Sequence, residues 1–121
     1  SWWAARDVPN LMLLHFSNLK EDLPGQIRKI AEFLDIEINE AKWQDILMHC
    51  SFDYMKENAV QTVPLGGAPW KGGAKTFIHK GTNGRWHDIL SQKKCEEYEN
   101  LATLKLGPDC AHWLATGEMK K

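Results

Sequence analysis

Between Asn58 and His87 run thirty residues without one Asp or Glu, in a 121-residue chain of formal net charge −1. The same window holds Lys71, Lys75, His79, Lys80, Arg85 and six of the nine glycines. Cations set among backbone N–H groups that Gly leaves approachable are what an anion, above all a phosphate, requires. The centre, Phe77-Ile78-His79-Lys80-Gly81-Thr82-Asn83-Gly84-Arg85-Trp86, reads as a phosphate clamp. Lys80 offers a point charge, Gly81 permits close backbone approach, and the amides around Gly81 complete the cradle. Phe52 and Phe77 could sandwich a flat heterocycle, and the Ser51 hydroxyl could bond a phosphate oxygen. A plainer reading makes this a flexible basic loop with glycines at its turns and both Phe residues in a core. Charge and glycine pattern alone leave the two readings open.

The elements that position these residues are mostly helical. Asp22 and Pro24 start a helix with Ile27, Ile30, Ala31 and Leu34 at i, i+3, i+4, i+7. Asn39 opens a second, striped by Trp43, Ile46, Leu47 and Cys50, and Ser51 caps a short third through Asn58. The Gly/Pro-rich segment from Val63 to Lys75 reads as a long loop, functional or mobile. A short helical turn follows around Gly84 to Leu90. Ser91 then caps a helix with Cys95, Tyr98 and Ala102 on one face, ending at Gly107-Pro108. Asp109 to Thr116 forms a last helix, closed by Gly117 and a charged tail. Leu11 to Phe16 is a short apolar run suited to a strand buried on both faces, as in a parallel sheet, although periodicity does not separate this from a buried helix. A lone strand leaves its edges unpaired, which points to a sheet completed by residues outside this sequence. The Trp2-Trp3 pair likewise suggests packing against something upstream, so the chain reads as a fragment.

Composition bounds the function. With 43% hydrophobic and 26% charged residues, the chain has the make-up of an ordinary soluble globular domain. Near-neutral charge argues against non-specific nucleic-acid binding. No apolar run approaches the length of a membrane span and no signal-peptide pattern opens the chain. Cys50, Cys95 and Cys110 are widely spaced with no CxxC, which argues against a disulfide framework and favours a reducing, cytoplasmic setting. His49-Cys50 and Cys110-Ala111-His112 invite a zinc reading, but they lack the loop-borne paired spacing of structural zinc sites, and no metal site is expected.

Taken together, these residues resemble the cytosolic sulfotransferases that use 3′-phosphoadenosine 5′-phosphosulfate (PAPS). The family signature Phe-x-Arg-Lys-Gly-x-x-Gly-Asp-Trp stands here as Phe77 to Trp86. Three further blocks agree in order and spacing. Trp2-Trp3, the apolar run Leu11 to Phe16 and Asn18-Leu19-Lys20-Glu21-Asp22 resemble the family's Trp-Trp, strand and Asp-Met-Lys-Glu-Asn. Ile27-Arg28-Lys29-Ile30-Ala31-Glu32-Phe33-Leu34 resembles Ile-x-Lys-Ile-x-Glu-Phe, and Cys50-Ser51-Phe52-Asp53-Tyr54-Met55-Lys56-Glu57-Asn58 resembles Thr-Ser-Phe-x-x-Met-Lys-x-Asn.

The resemblance implies a fold, a reaction and roles. The fold would be α/β, the P-loop-like sulfotransferase fold, with residues 1–121 forming the mostly helical C-terminal portion of one domain and about one core strand. The reaction would move the sulfuryl group from PAPS to an acceptor hydroxyl or amine of a small molecule. Phe52 would contact the adenine, with Cys50, Ser51 and Met55 near it. Phe77 and Ile78 would line the nucleotide pocket, and His79, Lys80 and Gly81 would hold the 3′-phosphate of PAPS or of its product PAP. Three departures stand out: His79 replaces the usual Arg, Phe16 a Tyr beside the adenine, and Arg85 the Asp before the Trp. The small dimerisation motif after that Trp is poorly kept at His87, Ser91-Gln92 and Glu96.

The family's phosphosulfate-binding loop and catalytic His lie N-terminal to the region that matches. No such loop occurs here, and none of the five His is assigned as a base. The chain is therefore expected to carry the adenosine-3′-phosphate side of the cofactor site and, alone, to be inactive. The surface left open by the missing half offers a route to self-association. The competing reading is a non-catalytic helical module that binds nucleotide, polyanion or a protein partner; it would expose an apolar patch around Trp2, Trp3 and the strand.

Overall fold

In a computed structural model that describes residues 2–119, the chain forms two compact units, one of residues 2–37 with 84–119 and the other of residues 38–83. The helices are α1 (Phe16–Glu21), α2 (Leu23–Phe33), α3 (Trp43–His49), α4 (Phe52–Glu57), α5 (Ala59–Thr62), α6 (Ala74–Phe77), α7 (Gln92–Leu106) and α8 (Pro108–Thr116). No strand occurs among the described residues.

The expected strand is thus corrected. Residues 11–15 take no regular secondary structure, and Phe16 already belongs to α1. His15 makes the change of direction. Its backbone is extended (φ −112°, ψ 136°), and its Nδ1 accepts the Ser17 N–H at 3.2 Å, capping α1. Its Nε2 lies 3.1 Å from the Leu114 carbonyl of α8, which can only accept, so the proton of the neutral ring sits on Nε2. One histidine side chain thereby ties the start of α1 to the end of α8.

A second tie lies beside it. Asn18 Nδ2 donates to the Gly117 carbonyl at 3.0 Å. Gly117 ends α8 in the left-handed region at φ +80°, and a Cβ there would stand 2.4 Å from Asn18 Oδ1. Only Gly meets both the dihedral and the approach. Aromatic contacts extend the joint: Trp113 packs edge-on against His15 at 5.4 Å and against Trp3 at 5.5 Å. Trp3 also carries the Arg6 guanidinium over its ring at 4.7 Å, whereas Trp2 is 75% exposed.

The expected helix starts are found. The Asp22 carboxylate accepts the Gly25 N–H at 2.9 Å, with Pro24 in the first turn of α2. Ser91 Oγ accepts the Lys94 N–H at 3.4 Å and caps α7, which ends at Gly107 (φ +82°). On α7, Cys95 and Ala102 are half-buried and Tyr98 is 70% exposed, so the predicted face is only partly covered. Residues 85–89 form the expected turn, closed by Leu90 N–H donating to the Trp86 carbonyl at 2.8 Å. Of the charged tail, Lys120 and Lys121 lie outside the described residues.

In the second unit Asn39 Oδ1 accepts the Ala41 N–H at 3.0 Å and opens a 3-10 turn, Glu40–Lys42, that runs into α3. The core is small: Ala59, Val63 and Ala74 are buried, with Trp70 and Ile78 packed against them. The segment read as loop contains a 3-10 turn, Pro64–Gly67, broken by left-handed Leu65 and Gly66. Gly67 lets the chain cross itself, since a Cβ there would lie 2.2 Å from the Ala74 nitrogen. Helix α6 then starts inside the predicted loop, at Ala74, which the core draws in. Among the described residues no helix is long and apolar enough to cross a membrane.

Candidate functional site

The cap of α4 organises the site in the second unit. Ser51 is extended (φ −72°, ψ 149°), and its Oγ accepts the Tyr54 N–H at 3.2 Å. That hydroxyl gives its own proton to the Met48 carbonyl at 2.7 Å. A serine hydroxyl has one proton, so donating to a phosphate would break the Met48 bond. Cys50, just before it, is exposed and closes α3 through its N–H to the Ile46 carbonyl at 3.0 Å.

Phe52 opens α4 and is half-buried. Its ring lies against Gly81: a Cβ added at Gly81 would stand 2.6 Å from Phe52 Cε2 and 2.7 Å from Cδ2. Gly81 is also left-handed at φ +58°. Lys56, one turn along α4, places its ammonium 5.7 Å from the Phe52 ring centre and donates to the His79 carbonyl at 2.9 Å. The structure thus gathers Phe52, His79 and Gly81 around α4, and Lys80 stands between the two attached residues. The side chains of His79 and Lys80 are exposed.

Other predicted residues have different surroundings. Ile78 packs on the Ala59–Val63–Ala74 core. Phe77 is 50% exposed and has Trp70 as its ring partner, at 4.4 Å and 52°. Met55 is half-buried, and its carbonyl accepts the Thr62 hydroxyl at 3.0 Å. Phe16, in the other unit, is 55% exposed at the first position of α1. There too Gly84 has φ +76°, and the Trp86 and His87 rings stack at 3.7 Å. Sequence reasoning missed Lys56 and Trp70 as members of the site's surroundings. The signal for Lys56 was present: it stands four residues after Phe52, one helical turn on the same face.

The cysteine and histidine pairs weighed for zinc have other partners. The His49 ring meets Tyr54 at 4.5 Å, Cys110 is buried, and His112 Nε2 lies 3.6 Å from a Glu118 carboxylate oxygen. Among the described residues no three of His, Cys, Asp and Glu converge on a point suited to a metal ion.

The backbone is that of a known architecture. It is similar, with a TM-score of 0.75 and 24% identity, to a mouse sulfotransferase, SULT7A1, whose crystal structure is complexed with PAP; the match covers 95% of this chain and 42% of that one. In sequence the chain is 32% identical over 107 residues to sulfotransferase 1B1 of Mus musculus, a match spanning 88% of this chain and 36% of that protein. It is 46% identical over 57 residues to luciferin sulfotransferase of Photinus pyralis, which covers 47% of this chain and 15% of that protein. The chain therefore spans roughly a third of the length of that mouse relative, sulfotransferase 1B1. The family model of the sulfotransferase domain matches residues 1–108, most of the chain, and the chain belongs to the sulfotransferase family.

Proposed function

We propose that this chain is the C-terminal portion of a PAPS-dependent sulfotransferase domain, of P-loop-like α/β fold, and holds the adenosine-3′-phosphate side of the nucleotide site. The observation that carries the reading is the seat of Phe52 on Gly81, with exposed His79 and Lys80 beside it. The donor set fits the group. A 3′-phosphate presents up to three strong acceptor oxygens, and Lys80, the His79 ring and the Gly81 amide supply donors to them. Phe52, held at the start of α4, offers a ring face to the adenine, flanked by Cys50 and Met55. Phe77 and Ile78, just before His79, support the segment, Ile78 packing on the small core and Phe77 against Trp70.

When bound, PAPS supplies an activated sulfuryl group whose sulfur is attacked by an acceptor hydroxyl or amine, the phosphate–sulfate bond breaking so that PAP departs. The residues of this chain bind and orient the nucleotide; proton removal and the contacts to the sulfuryl group belong to the rest of the domain. A small-molecule acceptor and a cytoplasmic setting complete the proposal.

The test is calorimetric titration with adenosine 3′,5′-bisphosphate, comparing the wild-type chain with Lys80→Ala. A loss of affinity in the variant supports the reading. Equal affinity overturns the role given to Lys80.

A further inference from the structure

We infer that Lys56 is a positioning residue for the anion-binding segment, acting on the orientation of one peptide unit. This rests on the reading of residues 79–81 as the 3′-phosphate seat. Lys56 Nζ donates to the His79 carbonyl at 2.9 Å, across a sequence separation of 23 residues. The peptide from His79 to Lys80 is trans, as there are no cis bonds among the described residues. In a trans peptide the C=O and the following N–H point in opposite directions. Holding the His79 carbonyl toward Lys56 therefore turns the Lys80 N–H away from Lys56.

The arrangement solves an electrostatic problem. A backbone carbonyl aimed at a bound phosphate would repel it, whereas an amide N–H attracts it. With Gly81 next in the chain, the segment can rotate a peptide unit at low cost. The Lys56 ammonium selects the orientation that presents the donor and occupies the carbonyl that would oppose binding. Phe52 fixes the next point of the same segment through Gly81. Two residues of α4, four apart, thus pin residues 79 and 81 on either side of Lys80.

The test pairs amide hydrogen exchange with ligand discrimination in the full chain, using wild type, Lys56→Met and Lys56→Arg. Without ligand, Lys56→Met should speed exchange in residues 79–83 and leave α3 unchanged, and Lys56→Arg should restore protection. With ligand, Lys56→Met should weaken adenosine 3′,5′-bisphosphate binding about tenfold. Adenosine 5′-monophosphate, which lacks the 3′-phosphate, should bind as it does to wild type. Unchanged exchange with weakened bisphosphate binding would mean that Lys56 acts only as a distant charge, and would overturn the inference. Equal losses for both nucleotides would overturn it as well. If wild type does not favour the bisphosphate over the monophosphate, the phosphate reading fails, and the exchange arm still decides whether Lys56 orients the peptide.

Discussion

The ring of Phe52 occupies the space that a side chain at residue 81 would need, 2.6 Å from where a Cβ on Gly81 would stand. The two residues are thus matched: an aromatic face that opens α4 and a residue with no side chain in the segment that passes over it. Gly81 is left-handed as well, so its lack of a Cβ serves both the dihedral and the contact.

Gly81→Ala should therefore destabilise the chain by about 1–3 kcal/mol, from left-handed strain plus displacement of the Phe52 ring. Gly84→Ala is the comparison, because there a Cβ meets only the edge of the His87 ring at 3.2 Å. It should cost less, about 1 kcal/mol. Chemical denaturation of both variants checks this; equal losses would contradict the packing argument.

Lys80→Ala should reduce adenosine 3′,5′-bisphosphate affinity by about 1–3 kcal/mol through loss of a charge-assisted contact. Adenosine 5′-monophosphate should bind the variant and wild type alike. Calorimetry with the two nucleotides separates a 3′-phosphate contact from a general loss of the site.

Ser51→Ala should lower stability by about 1 kcal/mol, since Ser51 Oγ caps α4 through the Tyr54 N–H. Because the hydroxyl proton is already given to the Met48 carbonyl, the loss of bisphosphate affinity should be smaller than for Lys80→Ala. Titrating the two variants side by side decides it.

His15→Ala removes both the cap on α1 and the bond to the Leu114 carbonyl. A loss of about 1–3 kcal/mol is expected for two hydrogen bonds and an aromatic contact. Thermal unfolding of wild type and variant checks this; equal midpoints would contradict the bridging role given to the His15 ring.

Much of the fold was legible because its starting signals are local. Asp22, Asn39, Ser51 and Ser91 each cap through an oxygen acting two or three residues away, so a short stretch of sequence contains the whole interaction. The run Leu11 to Phe16 was misread because an apolar stretch of six looks alike as strand and as packed coil. His15 is not among the usual capping residues, so the start of α1 carried no signal. Within the site, Lys80 and Gly81 were legible from charge and glycine pattern. The contacts that shape their surroundings were not, because Lys56 to His79 and Phe52 to Gly81 close over more than twenty residues. Phe77 was read as a partner for Phe52, but Trp70, only seven residues before it, is the ring it meets.

The most direct test of the central claim is titration of the chain with adenosine 3′,5′-bisphosphate and with adenosine 5′-monophosphate, for wild type and His79→Arg. A guanidinium is a fixed, bidentate phosphate donor, which an imidazole is not. The account predicts that wild type favours the bisphosphate and that His79→Arg binds it more tightly still, while the monophosphate binds both proteins alike. No preference for the bisphosphate in either protein would contradict it.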